Sequence, residues 1–112
     1  MVNIYDTANQ LEQEIRQLRQ FEELKAAYDA VQNNDESKEI YVAFQQMQQK
    51  LQLKQMQGES LSDDDTKEIQ ALSNQIKENE LIGQLMEKEQ AFSAMLNELN
   101  EIIMKPLQDL YR

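Results

Sequence analysis

The chain contains no cysteine and no histidine. Without thiols it has no disulfide, no thiolate nucleophile and no Cys/His zinc site. Without imidazole, every acid–base scheme built on histidine is excluded, as are the Glu-x-x-His pairs of di-iron bundles. Two glycines and one proline leave almost no punctuation for a β-rich fold, and aromatics are only 6%. No apolar run approaches the ~18 residues of a membrane span. The N-terminus MVNIYDTANQ lacks both the basic start and the hydrophobic segment of a signal peptide, so the expected location is cytoplasmic.

Gln, Glu, Leu, Lys and Ala, all good helix formers, dominate what is present. The expected class is therefore all-α, and 112 residues give room for one domain spanning 1–112. Formal net charge is −10, which repels phosphate backbones, so no nucleic-acid partner is expected. The charge is uneven: residues 1–58 carry six bases against nine acids (−3), and residues 59–112 carry five against twelve (−7).

The chain is organised around ELIGQLMEKEQAFSAMLNELNEIIMK, Glu80 to Lys105. At 100° per residue Leu81, Leu85, Phe92, Met95, Leu99 and Ile102 share one face. Ile82, Met86, Leu96, Ile103 and Leu107 widen it to roughly 200°, against the ~100° stripe of a surface helix. An arc that wide must be covered from two directions. The spacing thus predicts an antiparallel bundle of about five helices with this long C-terminal helix at its centre.

The first helix is expected from Ile4 to Gln20, capped by Asn3, with Ile4, Ala8, Leu11, Ile15 and Leu18 as a narrow seam. A second should run from Phe21 to Gln32. Asn33-Asn34-Asp35 reads as a turn in which Asp35 caps a third helix ending near Gln57, and Gly58 suits the left-handed position after it. Ser62 with Asp65 resembles a capping box opening a fourth helix, Asp63 to Glu78. Asn79 is expected to stop that helix and cap the last; one unbroken helix from Asp63 to Lys105 is the alternative. Pro106 should kink or end the last helix at Lys105, with Leu107, Leu110 and Tyr111 forming one more packed turn. Shifted by 45 positions, Leu24, Val31, Asn34, Ile40, Met47 and Leu51 fall on Ile69, Ile76, Asn79, Leu85, Phe92 and Leu96. A short helix, an Asn turn and a long helix thus occur twice in the pattern.

Few motifs carry chemistry. Asp63-Asp64-Asp65 contains the carboxylates a divalent cation prefers, but consecutive helical residues point in three directions, and acids at a helix start answer its dipole. QQMQQKLQLKQMQ, Gln45 to Gln57, has two lysines on one face and no acid. It reads as a solvated face or as an inter-subunit contact against the acidic half. Lys88 sits on the apolar arc, where it either snorkels to water or supplies a polar layer fixing register. No catalytic, cofactor-binding or metal-ligating residue is assigned, and no small-molecule substrate is evident.

LxLKQMQGE (Leu51 to Glu59), QLMEKEQ (Gln84 to Gln90) and LNELNEIIMKPLQDLY (Leu96 to Tyr111) resemble the YheA-type branch of the YlbF/YmcA family of small helical proteins from Gram-positive bacteria. The likeness covers essentially the whole chain, and EIIMKPL is its most distinctive segment. The resemblance implies an all-helical, dimeric cytoplasmic protein with no catalytic residues to carry over. Relatives act as regulatory partners in competence, sporulation, biofilm formation and RNA processing. Cysteines associated with an iron–sulfur cluster in some relatives have no counterpart here, so no cofactor is expected.

The leading functional expectation is a non-enzymatic, homodimeric adaptor whose other protein partners the sequence does not name. The alternative is a metal-dependent enzyme built on carboxylates, Lys, Tyr and Ser. The expected dimer interface comprises Leu53, Met56, Leu85, Lys88, Phe92, Met95 and Leu99. Leu53 and Met56 face away from the stripe that docks the third helix, and apolar side chains left outward usually mark an interface. The two lysines of residues 40–57, set against the acidic half of a second chain, favour the same arrangement.

Overall fold

A computed structural model describes residues 3–112, and among them there are five helices and no strand. These are α1 (Ile4–Arg16), α2 (Arg19–Gln32), α3 (Asp35–Met56), α4 (Asp63–Glu78) and α5 (Glu80–Leu110). The chain clusters into two compact units, one comprising the chain up to Ala26 with Met86–Arg112, the other Ala27–Leu85.

Most boundaries follow from side chains that satisfy the free N–H groups of a helix start. Asn3 accepts from Tyr5 N at 2.9 Å to open α1. Ser62 and Asp65 form a full capping box at α4, each side chain accepting from the other's backbone N–H at 3.1 Å. Gly58, at φ 72°, closes α3 in a Schellman turn, with Glu59 N donating to Lys54 O and Gly58 N to Gln55 O. Asn79 is extended (φ −97°, ψ 108°), which separates α4 from α5 and removes the unbroken-helix alternative.

Three boundaries differ from the sequence pattern. The first helix stops at Arg16, not Gln20, because Gln17 N and Leu18 N bond back three residues to Glu14 O and Ile15 O, tightening the chain before α2 begins at Arg19. The cap of α3 is Asn34, one residue before the expected Asp35; its Oδ1 accepts from Ser37 N at 2.9 Å. The last helix runs through Pro106 to Leu110. Proline deletes only the bond its own N–H would make to Ile102, and Tyr111 N still reaches Leu107 O. The added turn is not packed: Leu107, Leu110 and Tyr111 are exposed.

The unit of Ala27–Leu85 holds the core. Val31, Met47, Leu72, Ile82 and Leu85 are buried there, as are the polar Ser37 and Asp65. Within it α3 and α4 run antiparallel, with Lys54 and Lys50 beside Asp65 at one end and Met47 beside Leu72 further along. In the other unit α2 and α5 are antiparallel as well, shown by Phe21 against Phe92 and Glu23 against Lys88. No described residue of that unit is buried. The expected central role of α5 is therefore met at its start, by Ile82 and Leu85, whereas from Asn100 onward every residue is exposed.

Candidate interaction surface

The open unit contains a largely apolar groove. Ala8, Leu11 and Ile15 of α1 and Phe21 of α2 form one wall, and Phe92, Leu96 and Ile103 of α5 the other. Glu12 and Arg16, paired with each other one helical turn apart, stand at its rim. The groove has a volume of about 450 Å³ and opens to solvent. Two of its lining rings, Phe21 and Phe92, are 5.8 Å apart and tilted by 47°, a favourable off-parallel aromatic pair. From Ile102 onward α5 presents an apolar ridge to water, with Ile102 66%, the groove-lining Ile103 62% and Leu110 74% exposed. Exposed apolar side chains clustered along one helix often mark an interaction surface.

Lys88 lies one helical turn before Phe92 on α5. Its ammonium donates to Glu23 at 3.1 Å, and Arg19 also reaches Glu23 at 3.2 Å. Hydrogen bonding and charge from Lys88 hold the Glu23 carboxyl below the usual carboxylate range. Lys88 thus has a partner within its own chain.

The second polar cluster joins α3 to α4. Asp65 accepts from Lys50 at 2.8 Å and from Lys54, while also accepting from Ser62 N. Glu68 lies 3.6 Å from Lys50. Bonds from Lys50, then Lys54, then the Ser62 N–H hold Asp65 well below the ordinary carboxylate range, and Asp65 in turn raises Lys50. The lysines of the Gln-rich stretch therefore meet the acidic half of the chain within one molecule. The cluster gives Asp65 a structural task as helix cap and lysine partner, and among the described residues no three acidic side chains converge as a metal site.

The expected interface residues fall in both units. Leu53 and Met56, 55% and 78% exposed, lie at the distal end of α3, and Leu85 is fully enclosed in the same unit. Lys88, Phe92, Met95 and Leu99 belong to the other unit, the last three half-buried. Ile103, Leu107 and Leu110 stand outside the expected set although the helical wheel places them on the same broad face.

Residues 4–108 match the family model described as control of competence regulator ComK, YlbF/YmcA. The chain belongs to the YlbF/YmcA family. Among relatives, a UPF0342 protein of Lactiplantibacillus plantarum is 47% identical over 111 residues, covering 99% of this chain and 97% of that one. A UPF0342 protein of Listeria welshimeri is 46% identical over 110 residues, covering 98% and 94%. Two solved structures share the fold. A protein of unknown function (DUF964) from Bacillus stearothermophilus superposes with a TM-score of 0.87 at 33% identity, covering 97% of this chain and 96% of that one. The yheA protein from Bacillus subtilis gives 0.70 at 35% identity, covering 98% and 100%. This YlbF/YmcA member therefore has relatives named by family and not by a reaction, and no described helix is long and apolar enough to cross a membrane.

Proposed function

We propose that this YlbF/YmcA-family chain is a non-enzymatic adaptor of the cytoplasm that works through protein–protein contacts and does so as a homodimer. The observation that carries the reading is the contrast between the two units: one encloses a core, whereas the other holds an open apolar groove and an uncovered α5 ridge with no buried residue. Burying such a ridge releases about 25 cal/mol per Å² of apolar surface, which drives association. The family's link to control of a competence regulator supports a regulatory role exerted through partners. The dimer surface comprises the α5 face around Phe92, Met95 and Leu99, with Leu53 and Met56 as a second exposed contact. Leu85, enclosed in its own chain, and Lys88, paired with Glu23, are left out of it. Sedimentation equilibrium tests the reading: the expected mass at tens of micromolar is twice 13.2 kDa, and a mass of 13.2 kDa overturns it.

A further inference from the structure

We propose that the α1–α5 groove is filled by the end of α5 from a second copy of the chain, laid antiparallel about a two-fold axis midway between Asn100 and Glu101. The proposal rests on the homodimer reading above and adds the surface, the direction and the register. Along α5, Phe92, Met95, Leu99, Ile102 and Pro106 step by 3, 4, 3 and 4, the a and d spacing of a coiled-coil seam. In an antiparallel pair a faces d, so the stated axis sets Leu99 against Ile102 of the second copy and Met95 against its Pro106. Each contact occurs twice by symmetry.

The flanks distinguish a second copy from other occupants. Leu96 and Ile103 are seven residues apart on the side lining the α1 groove. In this register each meets the other's counterpart, which completes the groove with an apolar side chain. Glu98 and Lys105 are also seven apart, on the opposite flank, and the same register opposes Glu98 to Lys105 of the second copy, again twice. One axis therefore serves the seam from Met95 to Pro106, the apolar flank and the charged flank together, with Phe92 left opposite Asp109 of the second copy at the outer end, and this is the self-complementarity an isologous contact requires. A parallel pairing would instead set Glu98 against Ile103 of the second copy and Lys105 against its Leu110. Net charge does not oppose the contact. Residues 92–112 carry three acids and two bases, −1 of the chain's −10.

The absence of cysteine permits a direct test. Leu99→Cys and Ile102→Cys are made as separate variants, mixed under reducing conditions and then oxidised. A disulfide needs Cα atoms within about 7 Å, so the mixture is expected to give a covalent dimer while each variant alone does not. Variants that cross-link to themselves indicate a parallel seam and overturn the proposal. So does the absence of any cross-link when wild type sediments as a dimer, an outcome that leaves the homodimer reading standing; a monomeric wild type ends both. Should the cysteine variants lose helicity, exposed charges serve instead. Glu98→Lys and Lys105→Glu are each expected to raise the dimer Kd roughly tenfold, with the double swap restoring it. Equal weakening by the double swap overturns the register.

Discussion

The buried hydroxyl of Ser37, near the start of α3, donates to Asn79 Oδ1 at 3.0 Å, and the same oxygen accepts from Ile82 N at 3.0 Å. One amide thus caps α5 and ties the turn before it to the start of α3. Asn34 does the first of these tasks for α3 by accepting from Ser37 N at 2.9 Å. The two turns are 45 residues apart and are built alike: Ser37 and Ile82, the donors to the two caps, are both buried.

The caps should therefore differ in weight. Asn34→Ala removes one cap and is expected to cost about 1 kcal/mol. Asn79→Ala removes a cap and strands the buried Ser37 hydroxyl, so roughly 2–3 kcal/mol is expected. Ser37→Ala, which leaves the Asn79 cap intact, should cost about 1 kcal/mol. Urea midpoints at one fixed protein concentration check the order.

Acid should act through Asp65. Its carboxyl, lowered by Lys50, Lys54 and Ser62, contributes stability that is present above the unfolded value of about 4 and is lost as pH falls below it. Glu23, lowered by Lys88 and Arg19, acts in the same direction. Lys50, raised by Asp65, contributes below its ordinary value of about 10.4 and loses that contribution as pH rises through its higher folded value. Thermal midpoints between pH 7 and pH 3 should fall for wild type, and the fall should be shallower for Asp65→Asn. Parallel curves would remove Asp65 as its source.

Lys88→Leu breaks the pair with Glu23, and on the proposed dimer surface, which leaves Lys88 out, it removes no contact to another subunit. Oligomer distribution is expected to stay as in wild type, while Glu23 returns towards ordinary carboxylate titration. A broadened distribution by sedimentation velocity would give Lys88 a register-setting role instead.

Leu53→Glu with Met56→Glu changes two exposed side chains, so helical content should be retained and the dimer weakened by the loss of one contact. An unaltered dimer would leave the α5 face as its sole surface.

Much of this was legible in the sequence where local chemistry decides. Ser62 and Asp65 mark the start of α4, Gly58 the end of α3 and Asn79 the break before α5, because each acts within four residues of its own position. The α1–α2 junction is expected at Gln20–Phe21 and lies at Gln17–Leu18, because these residues turn the chain through backbone bonds alone, with no Gly, Pro or Asn to mark the place. The α5 apolar face could be read from its period, and so could its excess width. Which lysine meets which acid could not. Lys54 and Asp65 lie on different helices, and Glu23 and Lys88 are 65 residues apart, beyond the reach of any periodic pattern.

Hydrogen exchange along α5 tests most directly whether a second chain completes the open unit. At concentrations where the protein sediments as a dimer, backbone amides from Asn100 to Leu110 should be protected, and dilution should speed their exchange while Ile82 and Leu85 stay slow. Fast exchange beyond Asn100 at every concentration would contradict the account.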